Sequence, residues 1–85
     1  MTSDELTLVG SIAAARAAGI SLRQLYYWVD ILHVVQPQVR QHGLRRFRHF
    51  TAADVQRLQM LRRLVEEGYT LQAAARQTRA GEGHP

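Results

Sequence analysis

The sequence predicts a mostly α-helical domain broken once by a short two-stranded β-hairpin. Three observations carry that expectation. Two helical segments meet at Gly19-Ile20-Ser21, a link with room only for a tight turn. An arginine-rich run from Val39 to Phe50 has glycine near its centre, as a hairpin tip requires. Behind Thr51 a long apolar period of helical spacing begins.

Each element follows from local residue choices. Ser11 is the expected N-cap of a first helix, because Ile12 to Ala18 is dominated by alanine, the strongest helix former. Gly19 stops that helix and Ser21 caps the next. The second helix is expected from Leu22 to about Ile31, with Leu22, Leu25, Val29 and Leu32 as its buried stripe and Trp28 packed beside it. Pro37 bars helix and favours an extended or turn path. The hairpin follows, with Leu44, Phe47 and Phe50 expected as apolar anchors among the arginines. Thr51-Ala-Ala-Asp54 is a capping box ahead of a third helix with a stripe of Val55, Leu58, Leu61, Leu64 and Val65. Arg62–Glu66 and Arg63–Glu67 stand at i,i+4 on its wet side. Gly68 closes it, and Thr70 caps a short fourth helix to about Gln77. The domain is expected to span 11–79, between flexible tails at 1–10 and 80–85. Helix, tight turn, helix, two-stranded wing and two further helices make a winged helix-turn-helix.

Composition narrows the function. The 85 residues suit one small domain, 46% hydrophobic and 21% charged, which argues against wholesale disorder. Cysteine is absent, which excludes disulfides, thiolate metal sites and a thiol nucleophile. No apolar run approaches the ~20 residues of a membrane-spanning helix, and the acidic start is no secretory signal. His33, His42, His49 and His84 are scattered without an i,i+4 pair, so no metal is expected. No nucleophile–base pair is suggested, so neither catalysis nor a cofactor is expected. The expected location is the cytoplasm, at the nucleoid.

The charge points to a partner. Eleven basic residues, all arginine, oppose seven acids for a net +4. Arg40, Arg45, Arg46 and Arg48, with His42 and His49, fall between Gln36 and Phe50, where there is no acid. A basic loop interleaved with aromatics suits nucleic acid, although a solvated, solubilising loop has the same composition.

Three motifs in order also carry a family resemblance. Gly19-Ile20-Ser21-Leu22-Arg23-Gln24-Leu25-Tyr26-Tyr27-Trp28-Val29 is similar to G-[VI]-S-x-R-T-L-R-Y-Y-[DE]. Arg48-His49-Phe50-Thr51-Ala52-Ala53-Asp54-Val55-Gln56-Arg57-Leu58 is similar to R-x-Y-[ST]-x-x-D-[VIL]-x-x-L, and Leu64 to Leu71 to L-[RK]-x-L-G-[FY]-[ST]-L. Together they make Ser11 to Thr78 resemble the N-terminal DNA-binding domain of MerR-family transcription regulators. The departures are Leu32 where glycine commonly ends the recognition helix, Tyr26 where arginine is common, the acid Glu67 where leucine is usual, and a wing loop expected to be longer than usual. The family's long dimerisation helix and effector domain do not follow, so the chain is expected to be either a DNA-binding fragment or a minimal single-domain member.

The resemblance implies that the second helix enters the major groove of double-stranded DNA. Ser21, Arg23, Gln24, Tyr26 and Tyr27 are then the contact residues on that helix, with Arg23 the candidate for guanine or phosphate. It implies that Arg40, His42, Arg45, Arg46 and Arg48 of the wing lie on the backbone or an adjacent minor groove, one of them being free instead to pair with Asp54 or Glu66. Implied partners are RNA polymerase at a promoter and a second copy, as a homodimer of a longer protein or side by side on DNA. Two alternatives stay open. An architectural DNA-binding protein of a phage or mobile element (excisionase, packaging or chromosome-anchoring type) uses a similar wing. A protein-interaction module would turn the basic hairpin toward an acidic partner.

Overall fold

The computed structural model describes residues 8–82. In chain order the elements are α1 (Ser11–Ala18), α2 (Leu22–Asp30), β1 (Gln38–His42), β2 (Arg45–His49), α3 (Ala52–Glu66) and α4 (Leu71–Glu82). This is the expected winged helix-turn-helix, mostly α.

The helix boundaries obey capping chemistry. At α2 the Gln24 N–H donates to Ser21 Oγ at 3.0 Å and the Ser21 N–H donates to Gln24 Oε1 at 2.9 Å. At α3 the Asp54 N–H donates to Thr51 Oγ1 at 3.1 Å and the Thr51 N–H to Asp54 Oδ2 at 3.0 Å. Both are reciprocal capping boxes, each satisfying two orphan donors. Ser11 is not a cap: it is the first helical residue, and Gly10 precedes it without a side-chain bond. The turn between α1 and α2 closes on Gly19, at φ +74°, which lets the Ile20 N–H reach back to the Ala15 carbonyl at 3.0 Å. The Arg62 guanidinium of α3 lies against Gly19, where a side chain would stand.

At the end of α2 the left-handed residue is His33, at φ +55°, and not Leu32. Leu32 still donates to the Tyr27 carbonyl, and its own carbonyl accepts from Arg79 Nη1 of α4. The following Val34 and Val35 are buried core residues.

The core gathers Ala14, Ala15 and Ala18 of α1, Leu25, Trp28 and Val29 of α2, Leu58 and Leu61 of α3, and Ala74 and Ala75 of α4 around Val34, Val35 and Phe50. Small α1 and α4 side chains let the larger ones interdigitate. Leu22, Leu32, Val55 and Leu64 pack partly buried at its margin, whereas Val65 is exposed. Gln59 Nε2 of α3 donates to the Ala17 carbonyl near the end of α1 at 3.0 Å. Arg62–Glu66 forms at 2.9 Å, but Arg63 and Glu67 make no ion pair among the described residues. Thr70 Oγ1 accepts from the Ala73 N–H, and α4 runs beyond Gln77 to Glu82.

The wing is a regular antiparallel ladder, from Gln38↔His49 to His42↔Arg45. Its connection is only Gly43-Leu44, so the long wing loop expected from the sequence does not form. At its root Val9, which the sequence assigned to a tail, pairs with Phe50 through bonds of 2.9 and 2.7 Å. Residues 1–7 and 83–85 of the expected tails lie outside the described residues.

Candidate nucleic-acid interface

Helix α2 buries Leu25, Trp28 and Val29 and thereby turns the opposite side outward. Arg23 and Tyr27 stand one turn apart on that side, both exposed, and Ile31 continues the row at 58% exposure. Arg23 makes no ion pair among the described residues. Ser21 and Gln24, also exposed, are engaged in the capping box. There Gln24 Oε1 accepts from the Ser21 N–H with one of its two lone pairs, and its Nε2 donors point to no partner in the cap.

Leu22, Tyr26 and Asp30 occupy the next stripe of α2, facing the wing across an open cleft of about 680 Å³. The N-terminus of α1 forms the cleft's third side, and Arg46 and Arg48 enter it from β2. Arg48 closes the corner. Its Nη2 pairs with Asp30 Oδ1 at 2.9 Å, and its guanidinium stacks over the Tyr26 ring at 5.5 Å. Its Nη1 is enclosed without a hydrogen-bond partner. The arginine bridge expected from the wing therefore exists, but it goes to α2. Asp54 is already held by Arg57 at 3.2 Å and Glu66 by Arg62.

Strand alternation divides the remaining wing residues. The register places Arg46 and Arg48 on one face with Val39 and Gln41, and Arg40, His42, Arg45 and Phe47 on the other. Arg40 bonds loosely to Gln38 Oε1 at 3.4 Å. His42 meets Phe47 edge-on at 5.6 Å, and Arg45 lies 5.9 Å above the same ring. Phe47 is thus a stiffener of the wing surface, 41% exposed, and not an anchor to the core; of the three expected anchors only Phe50 is buried. Leu44 is fully exposed.

The structure thus brings Arg23, Gln24 and Tyr27 together on one outward face, and Tyr26, Arg46 and Arg48 together in the neighbouring cleft. Asp30 was missed in the sequence because its partner lies in a different element. Among the described residues no cluster of metal-ligating side chains occurs, and no helix is long and apolar enough to cross a membrane.

The Arg48–Asp30 pair is partly solvated, with side-chain exposures of 31% and 49%, so it adds less than about 1 kcal/mol to stability. Asp30→Asn should therefore lower the thermal midpoint by no more than about 4–8 °C. Amide exchange should quicken in β2 while the buried turns of α2 and α3 keep their protection. Equal loss of protection throughout would show that the pair holds the whole fold and not the wing angle.

A family model described as MerR HTH family regulatory protein matches residues 12–80, from the first turn of α1 into α4. None of the curated proteins matches the chain.

Proposed function

The chain belongs to the MerR HTH family of regulatory proteins, DNA-binding regulators of transcription, and from that premise we propose how it holds its DNA. Helix α2 lies in the major groove of a specific duplex site, with Arg23 and Tyr27 toward base edges and phosphates. Gln24 contributes a donor, and Ser21 keeps the helix start rigid. The wing follows the adjacent sugar–phosphate backbone into the minor groove, where Arg40, Arg45 and Arg46 neutralise phosphates. Arg48 and Tyr26 act one step back, holding the wing at a set angle to α2.

One observation supports this reading: the Arg48–Asp30 pair ties the basic wing to α2, the helix that exposes Arg23 and Tyr27. The cleft between them is open and bordered by the α1 N-terminus, whose first turn carries no acid and no side-chain cap. Free N–H groups and arginines at its border favour an anionic backbone there. On the same premise RNA polymerase at a promoter, a second copy of the chain and a cytoplasmic, nucleoid-associated location are proposed.

Selection from a random duplex library followed by sequencing tests the proposal. A defined motif is the expected product, and the repeat or dyad within it reveals how copies arrange themselves. Failure to enrich any motif at modest ionic strength would overturn sequence-specific binding. Arg46→Ala should weaken selected and random duplexes alike and reduce the slope of log affinity against log salt by about 0.9, the signature of one lost phosphate contact on duplex DNA. A loss confined to the selected sequence would instead make Arg46 a base reader.

A further inference from the structure

Leu44 is fully open to solvent, at 100% exposure. Nothing in the fold calls for an apolar residue there. Gly43 has φ +62°, and Leu44 does not share the positive φ, so Gly43-Leu44 is a two-residue connection of type II′ between His42 and Arg45. That turn needs glycine at its first central position and is commonly completed by a small polar residue at the second. A bare leucine at the apex of a basic hairpin is placed to meet a surface outside the molecule.

Three features define what it fits. Arginines not tied to α2 occupy both faces of the wing, Arg46 on one and Arg40 and Arg45 on the other. The blade is stiff near its tip, where Phe47 is flanked by His42 at 5.6 Å and Arg45 at 5.9 Å. Its root is tied to α2 by Arg48–Asp30 and to the N-terminal segment by Val9–Phe50. A thin blade with cations on both faces and an aliphatic apex suits a groove between two anionic rails better than a flat surface. The cations meet the rails, and the apex meets the groove floor.

We propose that Leu44 is a minor-groove wedge. It enters between two base pairs beside the α2 footprint, partly unstacks that step and bends the duplex, as apolar side chains inserted into the minor groove do. Pyrimidine–purine steps unstack most easily, so the wedge adds sequence preference at a step where no side chain hydrogen-bonds a base. The inference rests on the DNA-binding reading above.

The test uses the full chain and a duplex selected from the random library, with 2-aminopurine placed singly at successive positions outward from the α2 footprint. The wild-type protein should raise emission several-fold at one step and leave the others quenched. Leu44→Ser suits the same turn and keeps every arginine. It should still bind the duplex, several-fold more weakly, with the emission rise lost, while Leu44→Met retains the rise. Binding with flat emission by the wild-type protein, or the same rise with Leu44→Ser, overturns the wedge and leaves the DNA-binding reading standing. Failure of the wild-type chain to bind any duplex overturns both. Sedimentation showing self-association that Leu44→Ser abolishes, with emission unaltered, assigns the apex to contact between copies and likewise overturns the wedge.

Discussion

Phe50→Ala should unfold the domain or nearly so, whereas Phe47→Ala, three residues earlier on the same hairpin, should leave it folded. Phe50 has no exposed surface and is the largest of the fully buried side chains. Five of the thirteen buried apolar residues among those described are alanines, so few large groups fill this core and little can collapse into a vacated space. Removing a buried phenyl ring costs about 3–5 kcal/mol when the site relaxes poorly. A domain of 85 residues has roughly 4–13 kcal/mol of stability in all. The residue also sits where three constructions meet. Its main chain pairs with Val9, it ends the wing, and the next residue, Thr51, caps α3. A thermal melt followed by circular dichroism should show the midpoint falling by more than about 12 °C for Phe50→Ala. Phe47 is 41% exposed and touches only wing residues among its ring contacts, so its truncation should move the midpoint far less. Equal shifts for the two would mean that the hairpin and not the core sets the stability.

That contrast also shows which features could be read from the sequence. Local chemistry was legible. The cap at Ser21 and the box at Thr51 need only nearby residues, and Gly19 announces its own positive φ, so the helix-turn-helix and the start of α3 could be placed without coordinates. Features that depend on register or on pairing across elements were not. Leu44 and Phe50 are both apolar, but only the two-residue turn reveals that one is the apex and the other the root. Asp30 and Arg48 stand on different elements, α2 and β2, and no spacing rule joins them. His33 takes the left-handed position at the end of α2 that the family pattern suggested for Leu32, because the chain turns one residue later. Helical periodicity puts Arg23 and Tyr27 opposite the buried stripe of α2, and only the family resemblance made that side the one expected to meet DNA. The reciprocal bond from the Ser21 N–H to Gln24 Oε1 went unread in the sequence, which identified Ser21 only as a cap.

Arg23→Ala should then have the largest effect on DNA binding of any single arginine change. The side chain is exposed near the start of α2, without an ion pair among the described residues, so its loss leaves the fold unaltered. Arginine can donate two bonds in parallel to guanine O6 and N7, and each such contact contributes about 1–3 kcal/mol of discrimination. Affinity for the selected duplex should fall by that amount, and repeating the selection with the variant should yield a motif degenerate at one position and unchanged elsewhere. The distinction from Arg46→Ala lies in the form of the loss. A backbone arginine weakens every duplex and flattens the salt dependence, whereas a base-reading arginine lowers the ratio of specific to random binding. Arg23→Lys separates the two further, since a lysine keeps the charge for a phosphate but loses the planar fork. If Arg23→Lys restores the full motif, Arg23 serves the backbone, and Tyr27 with the Gln24 amide becomes the base-reading pair on this face.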